Sequence, residues 1–184
     1  MPLTKPVIIA GAGPVGCVAA LRLVQAGIRV ILLEGAKELP QTLRASTFHP
    51  PSLDMIEELG LVKPLIAQGL ICDRYQYRDR RTGEVAEFNL AALKDDTRHP
   101  YRLQAEQWKL VYLVWKELAD KYSHLAECHL NFAVKGVNQV ADGVEVLAWE
   151  NGQERLLEGS YLIAADGADS TVRKACAIPF EGFT

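Results

Sequence analysis

Long apolar runs are missing from this sequence. None approaches the ~20 residues that a membrane-spanning helix needs, so no stable membrane insertion is expected. Blocks of lysine or arginine are missing too. With 20 basic against 23 acidic residues and a formal net charge of −3, the chain offers no basic surface for a nucleic acid. Cysteine is sparse. Cys17, Cys72, Cys128 and Cys176 are scattered, without a CxxC pair and without a histidine at metal-ligand spacing. Reduced thiols and no metal site are therefore expected. The first residues, MPLTKPVIIAGAG, show no signal-peptide pattern, because their apolar run passes straight into a glycine turn. These absences together predict a cytoplasmic location.

What is present belongs to an ordinary globular protein. Hydrophobic residues make up 49% of the chain and charged residues 23%. A length of 184 residues suits one domain, or one and a fraction. Such a chain buries roughly 70% of its unfolded surface.

The strongest pattern lies in residues 6–34. Val7-Ile8-Ile9-Ala10 reads as a buried strand. Gly11-Ala12-Gly13-Pro14-Val15-Gly16 follows, then a helical stretch that Gly27 stops. A second apolar run, Ile28 to Leu33, ends on Glu34. Strand, glycine turn, helix, strand and acid in this order form a dinucleotide site. Gly11 permits the tight turn, Gly13 lets backbone approach a pyrophosphate, and Gly16 lets the helix lie close to the sheet. The helix N-terminus faces the phosphates with free N–H groups and its positive dipole end. Glu34 is placed to accept hydrogen bonds from ribose hydroxyls and would repel a 2′-phosphate, which disfavours NADP at this position. The motif alone does not separate NAD from FAD.

The remaining chain alternates in character. Residues 35–49 read as a loop that carries Leu43-Arg44-Ala45-Ser46. Pro50-Pro51-Ser52 starts a predicted helix, with Ser52 as its cap or Pro51 in its first turn, and Gly60 ends it; a short helical turn covers Pro64 to Gly69. From Ile71 to Arg80 and Glu84 to Leu90, two strands flank Arg81-Thr82-Gly83, a hairpin signal. Tyr101 to Gln104 leads into a helix predicted from Ala105 to Tyr122, with Trp108, Val111, Trp115, Leu118 and Tyr122 as its packed stripe. Residues 127–158 read as a β-meander: His129 to Val134 forms one run, and Asp142-Gly143 and Asn151-Gly152 mark hairpin turns. His124 and His129 read as surface histidines. Tyr161 to Ala165 is a further buried strand. It enters Asp166-Gly167-Ala168-Asp169-Ser170 and a helix from Thr171 to Ala175, which Asp169 or Ser170 caps. The predicted fold is a three-layer α/β domain with a mainly parallel sheet, containing Val7–Ala10, Ile28–Leu33 and Tyr161–Ala165, and an inserted β-meander.

Several blocks coincide: GAGPVG with Glu34, Leu43-Arg44-Ala45-Ser46, Arg102-Leu103-Gln104, and Ala165-Asp166-Gly167-Ala168-Asp169-Ser170-Thr171-Val172-Arg173. In this order they resemble the class A FAD-dependent monooxygenases, aromatic hydroxylases of the p-hydroxybenzoate hydroxylase type. Arg44 to Pro51 is similar to hydroxylases of phenolic acids. The resemblance covers essentially the whole chain. It implies a Rossmann-like FAD-binding domain with a partial substrate-facing β-hairpin, beginning within residues 71–100. It implies that Gly11, Ala12, Gly13, Pro14, Val15, Gly16 and Glu34 hold the ADP half of FAD. Arg44, with Ala45 beside it, would lie along the diphosphate, Gln104 would also meet the cofactor, and Asp166 would belong to an Asp-Gly segment at FAD. NAD(P)H as co-substrate, oxygen and a small aromatic substrate are implied as well. Homo-oligomer formation is compatible with this reading and is not written in the residues.

The sequence departs from the family in two ways. Gly35 stands where many relatives have arginine, and a later Gly-Asp block is absent. The chain is accordingly read as the N-terminal portion, residues 1–184, of a monooxygenase whose C-terminal remainder is absent. No catalytic residue is assigned. Two other functions stay open: a non-catalytic FAD- or ADP-binding fragment, and another flavin oxidoreductase such as a reductase, dehydrogenase or halogenase.

Overall fold

A computed structural model describes residues 4–41, 43 and 45–182. The apolar runs become strands and the amphipathic runs become helices. In chain order they begin with β1 (Val7–Ala10), α1 (Pro14–Gln25) and β2 (Val30–Leu33). Next come β3 (Thr47–Phe48), α2 (Pro50–Glu58), α3 (Val62–Ile66), β4 (Leu70–Cys72), β5 (Arg74–Arg78) and β6 (Val85–Asn89). A 3-10 turn at Leu90–Leu93 precedes β7 (Arg102–Gln104) and α4 (Gln107–Lys121). The chain continues through β8 (Ala126–His129), β9 (Phe132–Val140), β10 (Gly143–Glu150), β11 (Gln153–Gly159), β12 (Tyr161–Ala164) and α5 (Thr171–Ala175). Two compact units result: residues 1–41 with 114–184, and residues 42–113.

The first unit is built on a parallel sheet in the order β12-β1-β2-β8. Val7 to Ala10 pair with Tyr161 to Ala164 on one side and with Val30 to Leu33 on the other. All four residues of β1 and of β2 are buried, as expected of strands covered on both faces. Side chains alternate across a sheet. Ile8, Ile31 and Leu33 therefore share one face, where they pack with Phe132, Val144, Val146 and Ala148 of β9 and β10. Helix α1 covers the other face with Cys17, Ala20, Leu21 and Val24. Helix, parallel sheet and meander give the three layers that the sequence predicts. Truncating a fully buried residue such as Leu21 would cost about 2–5 kcal/mol.

The meander is the antiparallel sheet β9-β10-β11. Its turns fall where the sequence places them, with Asn151 at φ 52° and Gly143 at φ 142°. The region predicted as one β-rich stretch is divided, however. Ala126–His129 pairs in parallel with β2 and is the fourth strand of the central sheet. The run read as His129 to Val134 is broken at Asn131, whose φ of 55° suits asparagine better than a branched residue. The Asn131 amide donates to the Ala36 carbonyl at 2.7 Å, which fixes the break.

The second unit holds the small antiparallel sheet β3-β7-β4 and the hairpin β5-β6. The predicted hairpin forms with Arg74 opposite Asn89 and Arg78 opposite Val85. The single run expected from Ile71 to Arg80 is divided, because β4 pairs with β7 instead. Tyr101 to Gln104, read as a lead-in to a helix, contains β7. Helix α2 starts on Pro50 after His49, with prolines at its first positions, where a missing N–H costs nothing. Helix α4 buries Leu110, Val111, Val114 and Leu118, while Trp108 and Trp115 are half-buried. Among the described residues no helix is long and apolar enough to cross a membrane.

Candidate functional site

The glycine turn between β1 and α1 is shaped by three unequal demands. Gly11 has φ 98°, and a Cβ there would lie 2.3 Å from the Ala165 carbonyl oxygen. Gly16 is buried in α1, and a Cβ there would lie 1.9 Å from the Gly11 carbonyl oxygen. The protein itself requires glycine at both positions. Gly13 differs. Its φ of −69° suits any residue, and a Cβ there would meet nothing within 4 Å. Nothing in the fold calls for glycine at position 13.

Gly13 is also the N-cap of α1. It provides no side-chain hydrogen bond, Pro14 occupies the first helical position, and the first turn holds no acidic residue. The first-turn amides of a helix have no partner within the helix. This end of α1 therefore presents uncompensated donors and a positive dipole end beside the open space at Gly13. Val15 is 70% exposed on the same turn.

Glu34 leaves the carboxyl end of β2 and is held by backbone from both sides. Its amide donates to the His129 carbonyl and its own carbonyl accepts from the Phe132 amide, each at 2.8 Å. One carboxylate oxygen accepts from the Ala12 amide and the other from the Ala36 amide, both at 3.0 Å. The acid and the glycine turn thus form one crevice rim at the carboxyl ends of adjacent strands. Each carboxylate oxygen has a second lone pair to offer.

Asp166 follows β12 in the same unit. Its two oxygens accept from the Ser170 hydroxyl at 2.6 Å and from the Val172 amide at 3.0 Å. Ser170 in turn caps α5 by accepting from the Arg173 amide at 2.9 Å. Of the two predicted caps, Ser170 serves, and Asp169 pairs with Lys174 instead. The Asp166 carboxylate is thus committed to its own turn.

Arg44 is outside the described residues. Ala45 and Gln104 belong to the second unit. The Ala45 carbonyl accepts from the Gln107 amide at 3.1 Å, and the Gln104 side chain accepts from the Thr47 hydroxyl at 2.9 Å. The structure brings Gly11 to Gly16 and Glu34 together. Sequence reading missed Ala12 as the donor that anchors Glu34; the turn's short span was the available signal.

Behind the turn, Cys17 is fully buried and its thiol donates to the Ala12 carbonyl at 3.3 Å. Burial pushes this thiol up to about 12, with smaller contributions from Cys128 and Glu34. Burial likewise pushes Cys128 up to about 11. Neither group is poised as a nucleophile.

The family model described as FAD binding domain matches residues 4–184. The chain belongs to this family. Para-nitrophenol 4-monooxygenase of Pseudomonas sp. (strain WBC-3) is 30% identical over 97% of this FAD binding domain chain, which covers 44% of that protein. 6-Hydroxy-3-succinoylpyridine 3-monooxygenase of Pseudomonas putida is 32% identical over 95% of the chain and 44% of its own length. The crystal structure of p-nitrophenol 4-monooxygenase from Pseudomonas putida superposes with a TM-score of 0.89 at 30% identity, over all of this chain and 46% of that one. The chain thus spans less than half the length of these relatives.

The donor set fits the family's cofactor. FAD carries a diphosphate and a ribose. The uncapped start of α1 and the space at Gly13 suit the first, and Glu34 suits the second.

Proposed function

We propose that this chain is the FAD-binding N-terminal portion of a monooxygenase that hydroxylates a phenolic or other small aromatic substrate with NAD(P)H and oxygen. The observation that carries the binding step is Gly13, a glycine that the surrounding fold does not require, at an uncapped helix start beside an anchored acid. Family membership supplies FAD as that ligand. The choice of reaction rests on the nitrophenol and pyridine monooxygenases to which the chain is similar.

In this reading the first turn of α1 holds the diphosphate through amide N–H groups. Gly13 admits it, and Glu34 orients the adenosine ribose through the lone pairs that Ala12 and Ala36 leave free. Asp166 acts at the cofactor by fixing the turn before α5. Arg44, Ala45 and Gln104 contribute along the diphosphate and the rest of the cofactor, and residues 71–100 begin the segment facing the substrate. When bound, FAD supplies the redox chemistry, carrying electrons from NAD(P)H to oxygen; the protein positions it and excludes water.

The test is the visible absorption spectrum of the purified chain, followed by identification of any released cofactor. Flavin bands with FAD released on denaturation are expected. A colourless protein that also fails to take up added FAD would overturn the binding step. Hydroxylation is tested separately in the full-length protein. A phenolic compound should stimulate NAD(P)H oxidation and be converted to a hydroxylated product; stimulated oxidation that yields only peroxide counts against that compound as a substrate.

A further inference from the structure

The second unit gathers three ligating side chains of a different kind. Asp54 and Glu57 stand three residues apart on α2, a spacing that puts both on one helix face. His99 approaches them from the loop before β7. One carboxylate oxygen from each acid and one imidazole nitrogen lie within 4.8 Å of one another.

The polar accounting of this cluster is incomplete. His99 is 7% exposed, and its Nε2 has no hydrogen-bond partner. The Oδ1 of Asp54 and the Oε2 of Glu57 are buried and equally without one. Nε2 approaches Glu57 Oε2 to 3.3 Å, and Arg98 Nε approaches it to 2.8 Å, yet neither contact has hydrogen-bond alignment. His99 Nε2 and Asp54 Oδ1, unsatisfied beside a Glu57 oxygen whose counter-charge is the exposed Arg98, cost stability unless something fills the space between them.

The opposite ends of these side chains are fixed. Asp54 Oδ2 accepts from the Thr97 hydroxyl at 2.7 Å, which turns Oδ1 inward. The same Thr97 oxygen accepts from the His99 amide at 3.0 Å. His99 Nδ1 lies 2.8 Å from the Tyr101 hydroxyl. If Nδ1 carries the proton and donates to Tyr101, Nε2 keeps its lone pair for the cluster. A histidine that binds a metal is held in this way, by a hydrogen bond at its other nitrogen.

We propose that Asp54, Glu57 and His99 form a binding site for a divalent transition-metal ion of the zinc type. Two carboxylates balance the charge of a divalent ion. One imidazole with two carboxylate oxygens suits zinc, whereas calcium takes six to eight oxygens. The 3.3 Å between Nε2 and Oε2 fits neighbouring ligands at bond lengths of about 2.0–2.2 Å, and an Asp54 carboxylate oxygen lies within 4.8 Å of the other two ligands. Three protein ligands leave a position for water. Glu57 is partly exposed, so an ion has a route in, and the exposed Arg98 is the counter-charge it displaces. This site is independent of the FAD reading.

The test is equilibrium dialysis of the purified chain against zinc, with metal content measured by atomic emission and ligands by X-ray absorption at the zinc edge. One zinc per chain is expected, in a shell of nitrogen and oxygen at about 2.0–2.1 Å without sulfur at about 2.3 Å. His99→Gln and Asp54→Asn should each weaken binding by about ten-fold or more, the scale seen when a metal site loses its support. His129→Gln should not. Circular dichroism of the metal-free variants confirms that they are folded. Failure to retain zinc, a sulfur-containing shell, or unchanged affinity in both folded variants would overturn the site.

Discussion

At the scale of single residues, the glycines of one turn separate structural from ligand-driven need. Gly11→Ala meets a strained φ and the Ala165 carbonyl together, and should destabilise the fold by about 2–5 kcal/mol in urea titration. Gly13→Ala should leave stability within about 0.5 kcal/mol. It should nevertheless weaken FAD binding by about 1–3 kcal/mol, roughly five-fold to 150-fold, because the new methyl intrudes on the ligand alone. Unchanged FAD affinity in a folded Gly13→Ala protein would remove the main support for the proposed contact. Cys17 makes a prediction in pH. Its folded thiol titrates at about 12 against an ordinary value of 9.0. The folded state therefore retains a proton that the unfolded chain gives up. The stabilisation is fully present below pH 9 and is lost as pH rises through about 12. Cys17→Ala should flatten the alkaline decline in unfolding free energy across that window.

At the scale of elements, α5 depends on a local relay. Asp166 accepts from the Ser170 hydroxyl and the Val172 amide, and Ser170 caps the helix. Ser170→Ala should cost about 1 kcal/mol, the usual worth of an N-cap, read as a shift in the urea midpoint. An unaltered midpoint would mean that Asp166 alone holds this helix start. The same scale explains what the sequence made legible. The β1-α1-β2 unit could be read because its signals are contiguous: branched strands, punctuating glycines and an acid at a set distance. The boundaries of α5 were readable for a similar reason. Strand β8 was not. Ala126 to His129 alternates over only four residues, with the small Ala126 and Cys128 as its apolar members, and only pairing with distant β2 makes it part of the central sheet. β3, β4 and β7 have two or three residues each, too few to show a period. The cluster at Asp54, Glu57 and His99 escaped notice because the loop that carries His99 reaches α2 only through folding; the cysteine and histidine spacings that argue against a metal never test such a combination.

At the scale of the molecule, order should be uneven. The four-stranded parallel sheet has fully buried central strands, whereas every residue of β5 and β6 is exposed. Hydrogen exchange followed by mass spectrometry should show slow exchange in residues 7–10 and 30–33 and much faster exchange in 74–78 and 85–89. Equal protection would mean that something covers the hairpin in solution. The pairing of β1 with β12 reaches further still, into biogenesis. Strand β1 has β12 as one of its two neighbours, and that partner is made after every other described strand. Residues 42–113 form a continuous unit and can condense while synthesis proceeds, but the parallel sheet must wait. Until Tyr161 to Ala164 emerge, Val7 to Ala10 keep an open edge of apolar backbone, the kind of surface that invites chaperones and aggregation.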